Sequence, residues 1–380
     1  MPLDGHSIFS PTAGMRYEKV GRYHNYHFTT SNFDWPEISR PIQAVIDGFS
    51  PNLNKTLHIG HLRNLALGSA LVKVTGTENS PVAMLGAALG TSAESITALA
   101  NWYALANYSP TMYYDTGLVA LYDLNPALIE TKDGNGEQAG CKVWHGPKGP
   151  VIVRKSDGSC AYAAHDLLFA KLVTPTHYVT ADEQRGHFES VGLKDKHLPM
   201  GLVQGVDGKK IKSRTGDAMM ATDALDLVKE SLGEGAQEKL AWNVLAWNFL
   251  SVSRTQNVKF IPELWANPDR GGLYISYTLA RVKSALQKAE IVAPSEVLEV
   301  DVPLYAISSY FHHYLKAARD TMDPCPIANY AFMLAKAVGS QMEKQRVIGG
   351  TPSFQFAMVK ARSTLQTCME LLTMYPLDEV

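Results

Sequence analysis

The sequence contains few cysteines and no long apolar run, and these two absences exclude several classes of protein. The chain has 380 residues and four cysteines, none of them in a Cys-x-x-Cys spacing, so the sequence indicates neither a disulfide framework nor a zinc site. No stretch approaches about eighteen uninterrupted apolar residues, and residues 1–10 lack a basic start followed by an apolar segment. We therefore expect a cytoplasmic protein.

An excess of positive charge, which proteins that bind RNA usually show, is also missing. The formal net charge is −2. Residues 225–380 hold 15 Lys and Arg against 16 Asp and Glu. Charge alone therefore gives no support for a nucleic-acid partner. The hydrophobic content of 46% and the charged content of 19% are those of an ordinary globular protein, and the length predicts two or three domains.

The apolar periodicity divides the chain into three parts. Residues 1–40 predict an irregular N-terminal arm, and residues 41–218 alternate strand and helix patterns, which favours a Rossmann-like parallel sheet. Residues 219–380 show helical periodicity alone and predict an α-helical bundle. The fold class is therefore α/β followed by a helical bundle. The predicted elements are strands at 42–48, 81–86, 176–180 and 199–204, a hairpin at 141–155, and helices at 60–75, 92–107, 161–172, 185–193, 219–232, 236–253, 273–290, 302–321, 326–346 and 354–374.

The stretch at 50–63 reads Ser-Pro-Asn-Leu-Asn-Lys-Thr-Leu-His-Ile-Gly-His-Leu-Arg and lies between a predicted strand and a predicted helix. Unpaired N–H groups and the positive end of the dipole at a helix start favour a phosphate group. Gly60 leaves room for a ligand, and Lys55, His58 and His61 add hydrogen-bond donors. Two histidines near a helix start are by themselves usually surface residues, and their spacing of three does not predict zinc.

Two further stretches carry candidate site residues. Residues 205–217, Gly-Val-Asp-Gly-Lys-Lys-Ile-Lys-Ser-Arg-Thr-Gly-Asp, form a basic glycine-rich loop, which is most often a solvated turn. Within residues 153–166, Tyr162 and Asp166 are four residues apart on one helical face. A carboxylate and a phenol on one wall suit a guanidinium, although an ordinary helix start is the simpler interpretation of that pair alone.

Taken together, these stretches resemble the arginyl-tRNA synthetase family. The first is similar to the HIGH signature of class I aminoacyl-tRNA synthetases and the second to their KMSKS loop. The third is similar to the family's Arg-Ser-Asp-Gly-x-x-x-Tyr-x-Thr-Arg-Asp string. The resemblance implies a HUP-type catalytic domain at 41–218 and an anticodon-binding-like bundle at 219–380. It also implies activation of arginine by ATP to arginyl-adenylate, with Mg²⁺ arriving as part of the ATP complex and no metal site of the protein's own, followed by transfer to tRNA in protein biosynthesis.

The resemblance also assigns residues to roles. It implies catalytic roles for Lys55, His58, His61, Lys209, Lys210 and Lys212, ATP contacts from Ser50, Pro51, Gly60, His187 and Arg214, and arginine contacts from Asp47, Asn52, Tyr162, Asp166 and Gln184.

The sequence departs from the family pattern in several places. Ala164 and His165 stand where the family has Thr and Arg, and the family's Gly-Asp-Trp-Gly segment is replaced. The resemblance begins at about residue 42, so we expect a shortened member without the N-terminal tRNA-binding domain. Two alternatives stay open. One is a paralogue that adenylates arginine or a related amino acid and delivers it to a non-tRNA acceptor, and the other is a non-catalytic binding or regulatory protein. The acceptor, the fine specificity and the oligomeric state are left open.

Overall fold

The computed structural model describes residues 16–20, 23–27, 45–49, 51, 56–76, 81–84, 93–108, 111–114, 130–131, 139–158, 161–172, 176–209, 211 and 218–380. Within these ranges the strands are β1 (Arg16–Val20), β2 (Tyr23–His27), β3 (Val45–Asp47), β4 (Pro81–Met84), β5 (Thr111–Tyr114), β6 (Glu130–Thr131), β7 (Lys142–Gly146), β8 (Gly149–Arg154), β9 (Thr176–Ala181), β10 (His197–Met200), β11 (Val203–Gln204) and β12 (Val258–Lys259). The helices are α1 (Ile59–Thr75), α2 (Ala93–Leu105), α3 (Tyr162–Leu172), α4 (Arg185–Ser190), α5 (Ala221–Leu232), α6 (Glu238–Leu250), α7 (Pro262–Trp265), α8 (Gly271–Gln287), α9 (Val302–Ser309), α10 (Phe311–Thr321), α11 (Cys325–Lys344) and α12 (Pro352–Leu371).

Parallel strands form the centre of the first half and confirm the predicted α/β class. β9 lies between β3 and β10 and pairs in parallel with both, and β4 pairs in parallel with β5. Asp47, the last residue of β3, lies opposite Tyr178 of β9. Ligands of such sheets bind outside the carboxyl ends of the strands, and the chain leaving β3 runs from that edge toward α1.

Helix α1 is buried along most of its length because apolar residues occur on all its faces. It ends at Gly76, whose φ of 71° is left-handed and whose N–H donates to the Lys73 carbonyl oxygen. Near its middle α1 approaches the end of β3 so closely that a Cβ on Gly68 would lie 2.2 Å from the Gly48 carbonyl oxygen. Glycine at 68 is therefore required by packing, although its helix propensity is poor.

One continuous core joins the two halves. It runs from β3 and α1 into α6, α8, α11 and α12, and it includes Leu65, Trp242, Leu279 and Phe354, none of which is more than 1% exposed. The Trp242 Nε1–H donates to the Thr373 carbonyl oxygen at 2.9 Å, which ties α6 to the C-terminal residues. The helical half is therefore packed directly against the helix that begins at the predicted phosphate site.

The structure differs from the sequence-based prediction at several places, and β5, β6 and the short helix α7 were not predicted at all. The arm predicted as irregular contains the antiparallel pair β1–β2. The predicted strand 199–204 is two strands, β10 and β11, separated at Gly201, where a Cβ would lie 2.3 Å from the Gln256 carbonyl oxygen. The helical half contributes one strand, β12, which pairs in parallel with β11. The predicted helix 302–321 is interrupted at Tyr310 and forms α9 and α10.

The remaining predicted helices and the hairpin are observed with shifts of a few residues at their ends. None of the helices in the described parts of the chain is both long and apolar enough to cross a membrane.

Candidate functional site

The N-terminus of α1 is closed by a pair of histidines that cap each other's backbone. His58 is the N-cap residue with extended φ and ψ of −115° and 170°, and its Nδ1 accepts a hydrogen bond from the Gly60 N–H at 3.1 Å. In return, Nδ1 of His61 accepts from the His58 N–H at 3.0 Å. The two rings have centroids 3.9 Å apart, and their planes are tilted by 33°. This is a capping box in which imidazoles replace the usual Ser and Glu.

The capping box fixes the tautomer of both rings. Because each Nδ1 accepts from a backbone N–H, each neutral ring carries its proton on Nε2, which makes that atom a hydrogen-bond donor. The first turn of α1 holds no acidic residue, so the positive end of the helix dipole is not neutralised by α1's own side chains. The arrangement suits a phosphate group, whose oxygens accept hydrogen bonds.

The same segment is joined to the chain that leaves the basic loop. His58 forms an isolated antiparallel bridge with Met220. On either side of that bridge the Ile59 N–H donates to the Met219 carbonyl oxygen, and the Ala221 N–H donates to the Leu57 carbonyl oxygen, both at 2.9 Å. The histidines and the end of the basic loop therefore lie on one side of the molecule, as a site shared between them requires.

The beginning of the basic loop is a tight turn that starts directly after β11. The Gly205 N–H donates to the Lys209 carbonyl oxygen at 2.9 Å, and Oδ1 of Asp207 accepts from the Lys209 N–H at 3.0 Å. Gly208 has a φ of 75°, which explains the glycine at that position. The turn leaves Lys209 exposed, at the point where the loop begins.

Several predicted site residues lie outside the described residues. These are Ser50, Asn52, Lys55, Lys210, Lys212 and Arg214. Pro51 is described and buried. Of the predicted phosphate-binding residues, the structure thus brings His58, Gly60 and His61 together and places Lys209 at the start of the basic loop. Residues 57–59 contact residues 219–221, which follow that loop.

The predicted arginine-binding residues lie around β9. Nε2 of His187 in α4 is 2.6 Å from Oδ2 of Asp166 in α3, and the Asp166 side chain is only 14% exposed. The Tyr178 hydroxyl donates to the Asp166 backbone carbonyl oxygen at 2.8 Å. His187, expected at the nucleotide, is therefore a direct partner of the predicted guanidinium-binding carboxylate.

Asp47 belongs to the same neighbourhood. It is 7% exposed at the end of β3, opposite Tyr178. The pKa of Tyr178 is raised mainly by burial and further by the carboxylates of Asp166 and Asp47, so both negative charges act on one phenol. The structure therefore brings Asp47 and Asp166 to the same end of the sheet.

Two other predicted contacts are on the surface. The Tyr162 residue is 53% exposed at the first position of α3, and Gln184 is exposed immediately before α4. Both border the elements that carry Asp166 and His187, but neither has a hydrogen bond to the Asp166 carboxylate among the contacts of the described residues.

Several supporting residues were not singled out from the sequence. The Asn64 amide donates to the Gly48 carbonyl oxygen at 2.8 Å and to that of Val179 at 2.9 Å, which fixes α1 against β3 and β9. Arg63 is fully buried and donates to carbonyl oxygens of residues 201, 202, 253 and 254. Polar side chains on a helix whose other residues are apolar were the available signal for both.

The described residues include no group of three or more His, Cys, Asp or Glu side chains able to hold a metal ion.

The comparisons with known sequences point to one family. Residues 275–380 match the DALR anticodon binding domain. The arginine–tRNA ligase of Latilactobacillus sakei is 26% identical over 263 residues, which cover 59% of this chain and 46% of that protein. The arginine–tRNA ligase of Synechococcus sp. strain CC9605 is 26% identical over 293 residues, which cover 50% of each chain. The chain spans about half the length of the curated relatives it matches.

Solved structures share the fold across nearly the whole chain. The Thermus thermophilus arginyl-tRNA synthetase superposes with a TM-score of 0.68 at 17% identity, covering 98% of this chain and 90% of that one. The Plasmodium falciparum arginyl-tRNA synthetase gives 0.68 at 16% identity, covering 97% and 87%. A Mycobacterium tuberculosis methionyl-tRNA synthetase gives 0.53 at 11% identity, covering 87% and 89%. The DALR match, the ligase relatives and the shared fold therefore agree that this chain is similar to arginyl-tRNA synthetases.

Proposed function

We propose that the chain activates arginine with ATP, releasing pyrophosphate, and then transfers the arginyl group from arginyl-adenylate to tRNA. The observation that carries this proposal is the contact between Leu57–Ile59 and Met219–Ala221. It joins the imidazole-capped helix to the chain that follows the lysine-rich loop, which supports a site that both segments could border.

The residue types fit the chemistry of adenylation. A carboxylate oxygen of arginine attacks the α-phosphorus of ATP, and the bond from that phosphorus to the oxygen bridging the α- and β-phosphates breaks. Catalysis is then positioning and charge neutralisation, because no covalent enzyme intermediate is needed. The Nε2–H groups of His58 and His61, next to Gly60, would donate to phosphate oxygens as negative charge moves onto the leaving group.

The remaining phosphate contacts are assigned to residues of the two loops. In the proposal Mg²⁺ enters with ATP and neutralises part of the triphosphate charge. The residues proposed to contact the triphosphate or the nucleoside are Ser50, Pro51, Lys55, Lys209, Lys210, Lys212 and Arg214.

On the amino-acid side, Asp166 is the proposed partner of the arginine guanidinium. Its Oδ2 is engaged by His187, and the described residues supply no donor to Oδ1. A partly buried carboxylate with an oxygen available can accept a charge-assisted hydrogen bond from a guanidinium. Asp47, Asn52, Tyr162 and Gln184 would surround the rest of the amino acid.

The DALR match favours tRNA as the acceptor. Nothing in the described residues favours a small amine instead. The near-neutral helical half implies that tRNA recognition would depend on specific contacts more than on a general basic surface.

The test is arginine-dependent exchange of labelled pyrophosphate into ATP, followed by charging of total tRNA with labelled arginine. We expect exchange that depends on arginine and is not supported by the other amino acids at equal concentration. Exchange at the same rate without any amino acid, or none at saturating ATP and arginine, would contradict the activation step. Normal exchange without acid-labile labelling of tRNA would contradict the transfer step alone.

A further inference from the structure

Arg63 is a cation buried between the two halves of the protein. It lies one turn inside α1, two residues after His61, and its side chain is 0% exposed. Its Nε has no hydrogen-bond partner among the described residues. Burying a guanidinium costs folding free energy unless its N–H groups are hydrogen-bonded. The contacts of Nη1 and Nη2 therefore show what offsets this cost.

The guanidinium nitrogens bind two separate chain segments. Nη1 donates to the carbonyl oxygens of Gly201 at 2.7 Å and Leu202 at 3.3 Å, which form the break between β10 and β11. Nη2 points to the carbonyl oxygens of Ser253 at 3.3 Å and Arg254 at 3.4 Å, just after α6. The planar guanidinium on α1 therefore binds two other parts of the protein. One is the segment before β11, which leads into the basic loop, and the other is the start of the helical half after α6.

A second set of hydrogen bonds, made by Arg254 and Asp323, connects the segments bound by Arg63 to the helical half. We call these contacts together the Arg63 junction. Arg254 donates from Nη1 to the Pro199 carbonyl oxygen at 2.8 Å and from Nε to the Met322 carbonyl oxygen at 2.9 Å. The Asp323 carboxylate accepts from the Arg254 N–H at 2.9 Å and from the Cys325 N–H at 3.0 Å, at the start of α11. The junction is thus built from backbone carbonyls and one carboxylate, and it connects α1 to α11.

The basic loop is consequently fixed to α1 at both of its ends. Its beginning follows β11, whose preceding residues Gly201 and Leu202 are held by Arg63. Its end, Met219–Ala221, is held by the residues at the start of α1. These two attachments fix where the chain enters and leaves the basic loop relative to the histidines.

We propose that Arg63 is a positioning residue for adenylation: by binding Gly201 and Leu202 it sets where the lysine loop starts relative to the histidines at the N-terminus of α1. The inference rests on the proposed function for its catalytic consequence, but its structural part does not. Arg63 touches neither substrate; it acts through the segments that do. A displacement of about 1 Å between the two sides of the triphosphate lowers the rate of the chemical step far more than it lowers ground-state binding.

The experiment compares Arg63→Lys with Arg254→Lys and a matched control, Arg362→Lys. Lysine keeps the positive charge of Arg63 but has one nitrogen in place of Nη1 and Nη2, so it loses the fork that reaches the two segments in separate directions. Arg254→Lys perturbs the second set of hydrogen bonds and leaves Arg63 unchanged, so it provides a second variant if Arg63→Lys does not fold. Arg362, in α12, also has a buried Nε without a partner among the described residues, but it is far along the chain from the loop attachments.

Kinetics give the first readout. For Arg63→Lys we expect kcat for arginine-dependent pyrophosphate exchange to fall by about 30-fold or more, with the KM values for arginine and ATP changed by less than about threefold. For Arg254→Lys we expect kcat to fall by about a third of that factor or less, again with little change in KM. For Arg362→Lys, kcat should stay within about twofold of the wild-type value. A folded Arg63→Lys protein with kcat within about threefold of the wild type overturns the proposal, as does a loss confined to KM.

Hydrogen–deuterium exchange gives a readout that does not need activity. Peptides covering 197–204 and 218–221 should exchange at least about tenfold faster in Arg63→Lys than in the wild type, while peptides in α12 stay unchanged. Unchanged exchange at 197–204 overturns the positioning role even if the wild type proves inactive. A wild type that lacks arginine-dependent exchange would instead contradict the proposed function, while the hydrogen exchange result would still decide whether Arg63 holds the loop.

Discussion

His58 and Met220 form an antiparallel bridge that places the N-cap residue of α1 beside the chain that leaves the lysine-rich loop. The two residues are far apart in sequence, and each belongs to a segment whose composition favours phosphate. Neither segment would specify a nucleotide site by itself, because a helix start and a basic loop are both common on surfaces. Their juxtaposition is what makes the proposed adenylation site physically reasonable.

The role of His58 as a cap can be separated from its role as a donor. Asparagine is a good N-cap and can accept the Gly60 N–H, whereas alanine cannot. We therefore expect His58→Ala to lose about 1 kcal/mol in free energy of unfolding and His58→Asn to lose much less. Both should lower kcat for pyrophosphate exchange by about 100-fold or more, because both remove the imidazole donor.

Urea unfolding and pyrophosphate exchange on the same preparations make the comparison. If His58→Asn retained wild-type activity, the imidazole would be a cap only. The proposed transition-state contact would then have to be given to another group.

Gly60 is required by the position of the His58 ring. A Cβ at residue 60 would lie 2.9 Å from Cε1 and 3.1 Å from Nδ1 of His58. Gly60→Ala should therefore displace that ring and reduce kcat for exchange by about tenfold or more, with a change in unfolding free energy of about 1 kcal/mol. Gly186→Ala is the matched control, since a Cβ there meets nothing within 4 Å. Equal activities of the two variants would show that the ring position does not matter.

The short contact between Asp166 and His187 predicts how amino-acid binding will respond to mutation. Asp166→Asn keeps the size of the side chain but removes its charge, so the KM for arginine should rise by about tenfold or more while the KM for ATP changes by less than threefold. His187→Gln should have a smaller effect on arginine, because glutamine can still donate a hydrogen bond to Asp166. Tyr178→Phe, which removes the hydroxyl that donates to the Asp166 backbone at 2.8 Å, should mainly lower stability, by about 1 kcal/mol.

Steady-state pyrophosphate exchange at varied arginine and varied ATP provides both KM values. An Asp166→Asn protein with a normal KM for arginine would remove Asp166 from the guanidinium site. A loss of ATP affinity by the same factor would instead indicate a general disturbance of the sheet edge around β9.

Sequence periodicity predicted most helices because their buried faces are long enough to produce a pattern. It missed short strands for a physical reason. β5 and β12 have four and two residues, which is too short for an alternation to be recognised, and they exist through pairing with distant partners. The break at Gly201 is likewise set by the Gln256 carbonyl oxygen, which no local pattern could reveal.

For the site, the sequence indicated which residue types are present but not which of them touch. The mutual capping of His58 and His61 follows from local spacing and could have been inferred from the helix start. The pairing of His187 with Asp166, by contrast, depends on how α3 and α4 pack on either side of β9. The contacts of Arg63 depend on two segments that lie 138 and 190 residues further along the chain.

For Gly68→Ala, helix propensity and packing predict changes of opposite sign in the free energy of unfolding. Alanine in the middle of a helix is favoured over glycine by about 1 kcal/mol. At residue 68, however, a Cβ would lie 2.2 Å from the Gly48 carbonyl oxygen. We expect Gly68→Ala to lower the free energy of unfolding by about 3 kcal/mol, measured by urea denaturation, because α1 must move away from β3. Stabilisation, as propensity alone predicts, would show that this contact is looser than the structure describes.

The buried amine of Lys73 should make the stability of the protein depend on pH. Its Nζ is buried near the end of α1 without a hydrogen-bond partner among the described residues. Burial lowers the pKa of Lys73 from 10.5 to about 8, against a smaller opposing effect of Glu370. Below about pH 8 the amine is charged in both the folded and the unfolded chain, so the full cost of the buried charge is present. Between about pH 8 and 10.5 only the unfolded chain keeps its proton, and the folded state gains stability as the pH rises.

Replacing this amine by an apolar side chain of similar length should remove the cost. We expect Lys73→Met to be more stable than the wild type at pH 7, by about 2 kcal/mol. The difference should shrink as the pH rises toward about 10, because the wild-type lysine then becomes neutral when folded. Comparing the two proteins at each pH cancels the titration of the other lysines and tyrosines. A difference that stays constant from pH 7 to pH 10 would mean that Lys73 is charged when folded throughout this range, so any gain from methionine would come from packing alone.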